Sequence, residues 1–296
     1  MAISLYLSNK NVSAVVGAGS SAGVSVSSCF ADVLMGESLV NGVITNAPAL
    51  KEEIALFLDA HGCHGKDVSL VVNSTLIQLK PIEFPNMKEK QLQLLMANEF
   101  SDAENRTAPL YDYMMLKSKN GSMNRAIACA CEKSFVETYV KLFSEIKTKV
   151  VSFNTGVTAL VKLIEFMPEF NDKTAVIVVM DGENVQNVLL ENGRYKISTR
   201  TRLFSSDGTD EIVGEMQRNV SSMVQFLASE KSEYTITDVY FCGANPDDLN
   251  RFYSFGVDMN LNIQEFPNDR RIKFSGRDED ARLSNFIYPV GDLLKK

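Results

Sequence analysis

The chain has 296 residues, 45% of them apolar and 23% charged, proportions that fit a globular protein and exclude disordered, collagen-like and disulfide-scaffold classes. At about 150 residues per domain, the length predicts two domains, or one large domain with an insertion. The 30 Lys and Arg against 37 Asp and Glu give a net charge of −7. Because phosphate contacts need clustered cations and the chain has no basic run, we expect no nucleic-acid partner.

The N-terminal segment has no basic region followed by a long apolar stretch, so we expect no export signal. A membrane-spanning helix needs roughly 20 mostly apolar residues, and the densest apolar run, Ala175 to Met180, is far shorter. We therefore expect a cytoplasmic protein with no transmembrane segment of its own.

Short strands and amphipathic helices alternate through the first half. In chain order, the patterns predict strands at 3–7, 12–16, 24–26, 39–40 and 43–44, a helix capped by Asn46, strands at 68–72 and 76–84, a helix capped by Asn86, strands at 111–116 and 126–131, a helix over 135–146, a strand at 149–153 and a helix over 158–166. The pairs Asn41-Gly42 and Asn120-Gly121 predict hairpin turns, because two-residue turns favour Asn-Gly.

A polar turn near Pro168 to Lys173 separates the second half. There the patterns predict strands at 175–180, 185–190, 194–199 and 239–242 and helices over 210–228 and 247–255. A third Asn-Gly turn falls at Asn192-Gly193. Both halves thus have three strands, a helix and a strand, with a small α/β piece inserted in the first half. Two such halves facing each other describe an actin-like ATPase architecture with a cleft between them.

Four segments resemble PilM-type type IV pilus assembly proteins. They are Gly36 to Leu50, Ile82 to Leu92 with the following Asn98-Glu99, Tyr111 to Tyr113, and Ala128 to Val140. The resemblance implies an α/β, actin-like and FtsA-like two-domain fold with a small inserted α/β subdomain in the first half. The ranges expected for it are 1–78 plus 151–171 for the first actin-like subdomain, 79–150 for the insert and 172–296 for the second actin-like half.

The same resemblance implies a cytoplasmic scaffold at the inner face of the cell membrane. Such a scaffold binds the cytoplasmic tail of a PilN-like membrane protein and meets other pilus-assembly proteins, including the assembly ATPase. Two alternatives stay open: an actin-fold ATPase or kinase acting in the cleft, and the equivalent scaffold of a type II secretion or cell-division complex.

The resemblance also implies an ATP site with Mg²⁺ in the cleft, but this chain departs from the pattern at its first phosphate loop. Tyr6 stands at the family's Asp position, Ser8 at its Gly position and Ser13 at its Lys position. We therefore expect ATP to bind weakly or not at all and assign no catalytic residue. The candidate cofactor-binding residues are Ser8, Asn9, Lys10, Asp181, Gly182, Asn184, Gly243 and Ala244. Ordinary solvated turns are the alternative at each of these positions.

The family resemblance is strongest around Pro85, so we expect the insert to form one wall of a peptide groove. An extended tail can add main-chain bonds along a strand edge while its apolar side chains enter pockets. The candidates for lining those pockets are Ile82, Phe84, Met87, Leu92 and Leu95; the alternative is that they form the insert's core. Neither His61-Gly-Cys63-His64 nor any other cluster is assigned as a metal site, because zinc needs three or four converging ligands.

Overall fold

The computed structural model describes residues 1–101, 108–117, 123–206 and 208–295. The first part of the chain forms β1 (Ala2–Leu7), β2 (Asn11–Ser20), β3 (Gly23–Val33), β4 (Leu39–Val40), β5 (Val43–Ile44), α1 (Ala47–Ala60), β6 (Val68–Val72), β7 (Gln78–Pro85), α2 (Glu89–Glu99), β8 (Pro109–Leu116), β9 (Met123–Glu132), α3 (Lys133–Glu145), β10 (Val150–Asn154) and α4 (Gly156–Phe166). The predicted Asn120-Gly121 turn lies outside the described residues.

The second part contains β11 (Ala175–Asp181), β12 (Asn184–Glu191), β13 (Arg194–Arg202), α5 (Asp210–Ser229), β14 (Asp238–Cys242), α6 (Pro246–Met259), β15 (Asn262–Glu265), β16 (Ile272–Phe274) and α7 (Ile287–Leu293). The strands and helices predicted from the sequence are all present, with ends shifted by a few residues except at β3, which runs seven residues further than predicted, to Val33. The structure adds β15, β16 and α7, which are too short to show a period in the sequence.

Three sheets of three or more strands and the two-stranded β4-β5 hairpin organise the described strands. The first sheet has the order β10-β6-β1-β2-β3-β16, the second sheet β13-β12-β11-β14-β15, and the insert sheet β7-β9-β8. Helix α4 lies between the first and second sheets: Leu160 and Ile164 pack in one buried cluster with Val26 of β3 and Ile177 of β11. On the other face of the second sheet, α5 and α6 cover a separate core.

Of the two predicted helix caps, Asn46 is confirmed and Asn86 is wrong. Asn46 does cap α1, because its Oδ1 accepts a hydrogen bond from the Ala49 N–H at 3.2 Å. Asn86 does not cap α2, which begins at Glu89 with Lys88 as its N-cap residue. At this helix start, the backbone N–H of the N-cap residue Lys88 donates a hydrogen bond to Gln91 Oε1 at 3.1 Å.

The sheets divide the chain differently from the predicted ranges in two places. The predicted insert range of 79–150 includes α3, yet Tyr139 and Phe143 of this helix pack in the core beneath the first sheet with Leu5 and Leu58. The insert therefore consists of β7, α2, β8 and β9.

The predicted range of the second half, 172–296, includes β16 and α7, yet both elements pack with the first half. Strand β16 pairs in parallel with β3, and α7 packs against α4. That helix contact is close: a Cβ on Gly291 would come within 2.1 Å of the Ala159 carbonyl oxygen, so only glycine fits there.

Candidate functional site

The turn from β1 to β2 borders one side of the cleft between the two halves, and the turn from β11 to β12 borders the other side. Tyr6 donates a hydrogen bond from its hydroxyl to Asp181 Oδ2 at 2.7 Å, and Asn11 Nδ2 reaches the other oxygen of that carboxylate at 3.4 Å. Burial, and then the nearby Asp181, raises the pKa of Tyr6 well above its usual value, so the phenol stays protonated and donates at neutral pH.

Nearer the solvent, a contact between Lys10 and Glu183 joins the same two turns, and Arg202 of β13 pairs with Glu183 from its own half. Glu183 accepts from Lys10 Nζ through one carboxylate oxygen and from Arg202 Nη2 through the other, both at 2.8 Å. These hydrogen bonds hold the pKa of Glu183 below its ordinary value. The single lysine of the first turn is therefore engaged by a protein carboxylate rather than directed into open space.

The remaining cofactor candidates have structural roles at their positions. Ser8 Oγ accepts from the Asn11 N–H at 3.0 Å and closes the first turn. Gly182 and Gly243 have φ angles of +59° and +73°, which glycine adopts without strain. A Cβ on Gly243 would lie 2.5 Å from the Met180 carbonyl oxygen, so this glycine permits close packing against β11.

Three candidates remain to be placed. Asn9 and Asn184 border a cavity of about 420 Å³ together with Asp181, and Ala244 packs against the core of the second sheet. The structure thus brings Asn9, Lys10, Asp181 and Asn184 to one cavity but leaves Gly243 and Ala244 outside its lining.

These side chains do not suit a magnesium-bound nucleotide. A phosphate turn needs a carboxylate for the metal's water shell and exposed backbone N–H groups for the phosphates. Here the Tyr6 phenol donates to Asp181, while Lys10 already pairs with Glu183. A phosphate placed directly between the turns would compete with both contacts.

The histidine-cysteine segment is used within the fold. The His61 ring stacks on Phe30 with 4.1 Å between centroids, and His64 Nδ1 lies 2.8 Å from Asp59. Across the part of the chain that the structure describes, no three His, Cys, Asp or Glu side chains converge as metal ligands.

A larger opening, hereafter the groove, lies between the insert and the first sheet and has a volume of about 510 Å³. Its lining consists of Ile77, residues 110–114 of β8, Ile127, Cys129 and Cys131 of β9, Val136, residues 153–155 at the end of β10, and Thr158 and Lys162 of α4. Strand β9 contributes alternate residues, so one face of it forms a wall. Strand β8 contributes consecutive residues, which indicates that the strand's edge borders the groove.

Two free sheet edges meet at this groove. Among the described residues β8 pairs with β9 alone and β10 with β6 alone, so each is an outermost strand. The Tyr113 N–H illustrates the free edge of β8, because it is bonded by the neighbouring Asp112 carboxylate at 2.8 Å rather than by a strand. Unpaired strand edges are templates for the addition of another strand.

The residues proposed from the sequence to line the groove are on the other face of the insert sheet. Ile82, Phe84 and Leu92 are buried in one cluster, with Met87 and Leu95 packed against it. Helix α2 covers that face, where Ala126, Ala128 and Ala130 of β9 leave room for it. The five are core residues of the insert, and the groove is lined by others.

The alternation within β9 was the signal that could have located the groove. Small alanines occupy the face beneath α2, while Ile127, Cys129 and Cys131 occupy the face toward the first half. The sequence places both cysteines on one face of β9 through the period of two, and both line the groove. It could not show that this face is left partly uncovered, because that depends on how far α3 and α4 stand from the sheet.

No protein-family model matches the chain, and a search of curated proteins finds no match. Among solved structures, a PilM-PilN type IV pilus biogenesis complex is similar over 99% of this chain and 97% of that chain, with a TM-score of 0.78 and 14% identity. The chain has an actin-like fold. A Bacteroides thetaiotaomicron protein with an actin-like ATPase fold and unknown function matches with a TM-score of 0.55 and 14% identity over 90% of each chain.

The ethanolamine utilization protein EutJ from Carboxydothermus hydrogenoformans is also similar, with a TM-score of 0.52 and 7% identity over 99% of this chain and 89% of that chain. Identities this low establish the fold, and the actin-like fold with an insert in its first half is the one predicted. None of the helices in the described part of the chain combines the length and apolar character that crossing a membrane requires.

Proposed function

We propose that this protein is a non-catalytic scaffold that holds an extended cytoplasmic segment of a PilN-type membrane protein in the groove. The observation that carries the proposal is the meeting of two free sheet edges, β8 and β10, at one partly apolar opening. The similarity to the structure of a PilM-PilN complex supports the choice of partner.

The groove suits an extended peptide in two respects. A segment lying along β8 would pair with the strand's outward N–H and C=O groups, displacing the Asp112 carboxylate from the Tyr113 N–H. Its alternate side chains would face Met114, Ile127 and Phe153, which supply apolar contacts along the lining. Main-chain pairing would supply affinity and these contacts would supply selectivity.

The contacts across the cleft support a scaffold rather than an enzyme. Phosphoryl transfer requires a carboxylate that holds the metal and a positioned base or water. The bond from Tyr6 to Asp181 occupies the place where the first of these would act. We therefore propose that ATP binds weakly or not at all and that the cleft is a structural contact.

Calorimetry with ATP and Mg²⁺ tests the nucleotide part of the proposal. We expect no measurable affinity or a weak one. A sub-micromolar dissociation constant, equivalent to about −8 kcal/mol or tighter, would contradict it.

We further propose that the protein works in the cytoplasm at the inner face of the cell membrane, where its partner anchors it. Other pilus-assembly proteins, including the assembly ATPase, would then be further partners. Co-purification with the cytoplasmic tails of a PilN-type protein, a type II secretion membrane protein and a cell-division membrane protein distinguishes the machines. Selective retention of the PilN-type tail is the expected result.

The groove itself is tested with a matched pair of substitutions on α3. Val136 lines the groove, whereas Val140, one turn further along the helix, is 42% exposed and does not line it. With a fluorescent peptide of the partner's cytoplasmic segment, we expect Val136→Lys to weaken binding about ten-fold, the range of a contact residue at an interface. Val140→Lys should bind as the wild type does. Equal affinities for both variants would place the segment elsewhere.

A further inference from the structure

A separate cavity of about 180 Å³ lies on the α4 side of the second sheet. Its lining consists of Asn73, Ser74, Thr75, Ile77, Leu79, Thr155, Val157, Gln186, Ser198 and Arg200. Seven of these ten side chains are polar, and the single charged residue among them is a cation. The composition differs from the groove, whose lining carries both Asp112 and Lys162.

Arg200 enters this cavity from β13 with unused hydrogen-bonding capacity. Its Nη1 atom is buried and finds no hydrogen-bond partner among the described residues. Arg202, two residues further along the same strand, is paired with Glu183 at 2.8 Å. A buried guanidinium N–H without an acceptor loses its hydration without compensation, so an acceptor placed in the cavity would be favoured.

The facing wall adds positive potential from the backbone. Helix α4 begins there with Thr155 as its N-cap residue. The first N–H groups of a helix have no partners within it and form the positive end of its dipole. In α4, the Gly156 N–H donates to Asn73 Oδ1 at 3.0 Å and the Thr158 N–H donates to Thr155 Oγ1 at 3.1 Å. Both donors are therefore used within the fold, and the helix start contributes its positive dipole end to the cavity wall. Ser74, Thr75 and Ser198 add hydroxyl groups to the lining.

We propose that this cavity binds a tetrahedral oxyanion of the phosphate class, held by the Arg200 guanidinium and the lining hydroxyls beside the positive end of α4. Its volume of about 180 Å³ holds one such anion with a few waters, since each water takes about 30 Å³ of liquid volume. Cationic and hydroxyl donors without a facing carboxylate select a doubly charged oxyanion over a neutral ligand.

The site is distinct from the space between the two turns of the cleft. Tyr6 separates them: Asn73, which lines the cavity, donates to the Tyr6 hydroxyl at 3.4 Å, and that hydroxyl donates in turn to Asp181. The proposal therefore does not depend on the groove or on a nucleotide between the turns.

Isothermal titration with sodium phosphate tests the proposal, with sodium chloride at equal ionic strength as the reference. We expect saturable binding to the wild type and a loss of about ten-fold or more in Arg200→Gln, the size expected when a charged hydrogen-bond partner is removed. Arg218→Gln is the matched control, because it removes the same charge from an exposed position on α5, across the second sheet. That variant should bind phosphate as the wild type does.

A second variant keeps the test decisive if Arg200→Gln folds poorly. Thr75 lies at an exposed position of the lining, so Thr75→Asp places a carboxylate beside Arg200 with little effect on the core. We expect it to abolish phosphate binding. The absence of saturable binding to the wild type, or equal affinity in the wild type and both cavity variants, would overturn the proposal.

The source of the anion is resolved by comparing inorganic phosphate with metal-free ATP in the same titration. Tighter binding of inorganic phosphate identifies a free anion, whereas tighter binding of ATP that is lost in Arg200→Gln identifies a phosphate carried on a larger molecule. Either pattern supports the oxyanion site. ATP binding that is insensitive to Arg200→Gln, with no binding of phosphate, would contradict it.

Discussion

The interdomain cleft and the groove beside the insert are both openings of the same actin-like fold, but they are bounded differently. The two sides of the cleft are joined by side chains: Tyr6 to Asp181 in the interior, and Lys10 to Glu183 at the surface, where Arg202 of β13 also pairs with Glu183. The groove is bordered by the backbone edges of β8 and β10, which the described residues leave without a strand partner. These polar side chains at the cleft thus have hydrogen-bond partners within the chain. Among the described residues, the groove instead presents main-chain N–H and C=O groups that no neighbouring strand pairs.

Binding is therefore favoured where hydrogen-bonding groups are still without partners. A ligand entering between the turns competes with an internal hydrogen bond and an ion pair, and breaking them offsets part of the ligand's affinity. A peptide entering the groove replaces water and one local carboxylate contact. Substitutions in the core of the insert, in the interior of the cleft and at its surface test these two openings separately.

The greatest loss of folding stability is expected from a substitution in the core of the insert. Phe84 is 3% exposed beneath α2, and its replacement by alanine should lower the free energy of unfolding by about 3–5 kcal/mol, as for other buried aromatic residues. Leu94→Ala on α2, where the side chain is 60% exposed, should change it by about 0.5 kcal/mol or less. Urea denaturation measures both. A stable Phe84→Ala variant with impaired tail binding would instead return Phe84 to the groove.

A smaller effect is expected from the interior contact of the cleft. Tyr6→Phe keeps the ring but removes the donor to Asp181, which should cost about 1–3 kcal/mol of stability. Tyr234→Phe is the control, because that hydroxyl accepts from Asn192 at the protein surface. Binding of the partner segment should be the same in both variants. A Tyr6→Phe protein as stable as the wild type would show that the cleft is not held by this bond.

The smallest effect concerns Glu183 and depends on pH. Its pKa is lowered by Lys10 and Arg202, so its stabilising contribution is present above the unfolded-state pKa of about 4.3 and is lost as pH falls through the lower folded-state pKa. The difference in melting temperature between the wild type and Glu183→Gln should therefore be present at pH 7 and shrink in acid and in high salt. Glu52→Gln, at an exposed position of α1, should show no such trend. A difference that grows in acid would contradict this account.

Much of the fold could be predicted because local signals agreed with the tertiary structure. The Asn-Gly turns at Asn41 and Asn192 and the capping of α1 by Asn46 are fixed within a few residues of chain. The departure at Tyr6 was also visible in the sequence, because a phenol cannot replace a metal-holding carboxylate. What the phenol does instead, donating to Asp181 across 175 residues of sequence separation, could not be read from either segment alone.

The candidate site was predicted less well, for a reason of geometry. Apolar residues at strand and helix periods, such as Ile82 and Leu92, have the same pattern whether they line a pocket or fill a core. The return of β16 and α7 to the first half depends on pairing with β3 and packing on α4, neither of which leaves a local signal.

If the free edge of β8 receives an extended partner segment, hydrogen exchange of the backbone amides along that strand should slow when the segment binds. Exchange is followed over residues 109–117 with and without saturating PilN-type peptide, and β13, the edge strand of the second sheet, serves as the internal control. The account predicts that the Tyr111 and Tyr113 amides slow by about ten-fold or more, because new strand pairing protects them, while β13 is unchanged. If peptide binds but the β8 amides exchange as fast as in the free protein, the segment does not pair with this strand edge.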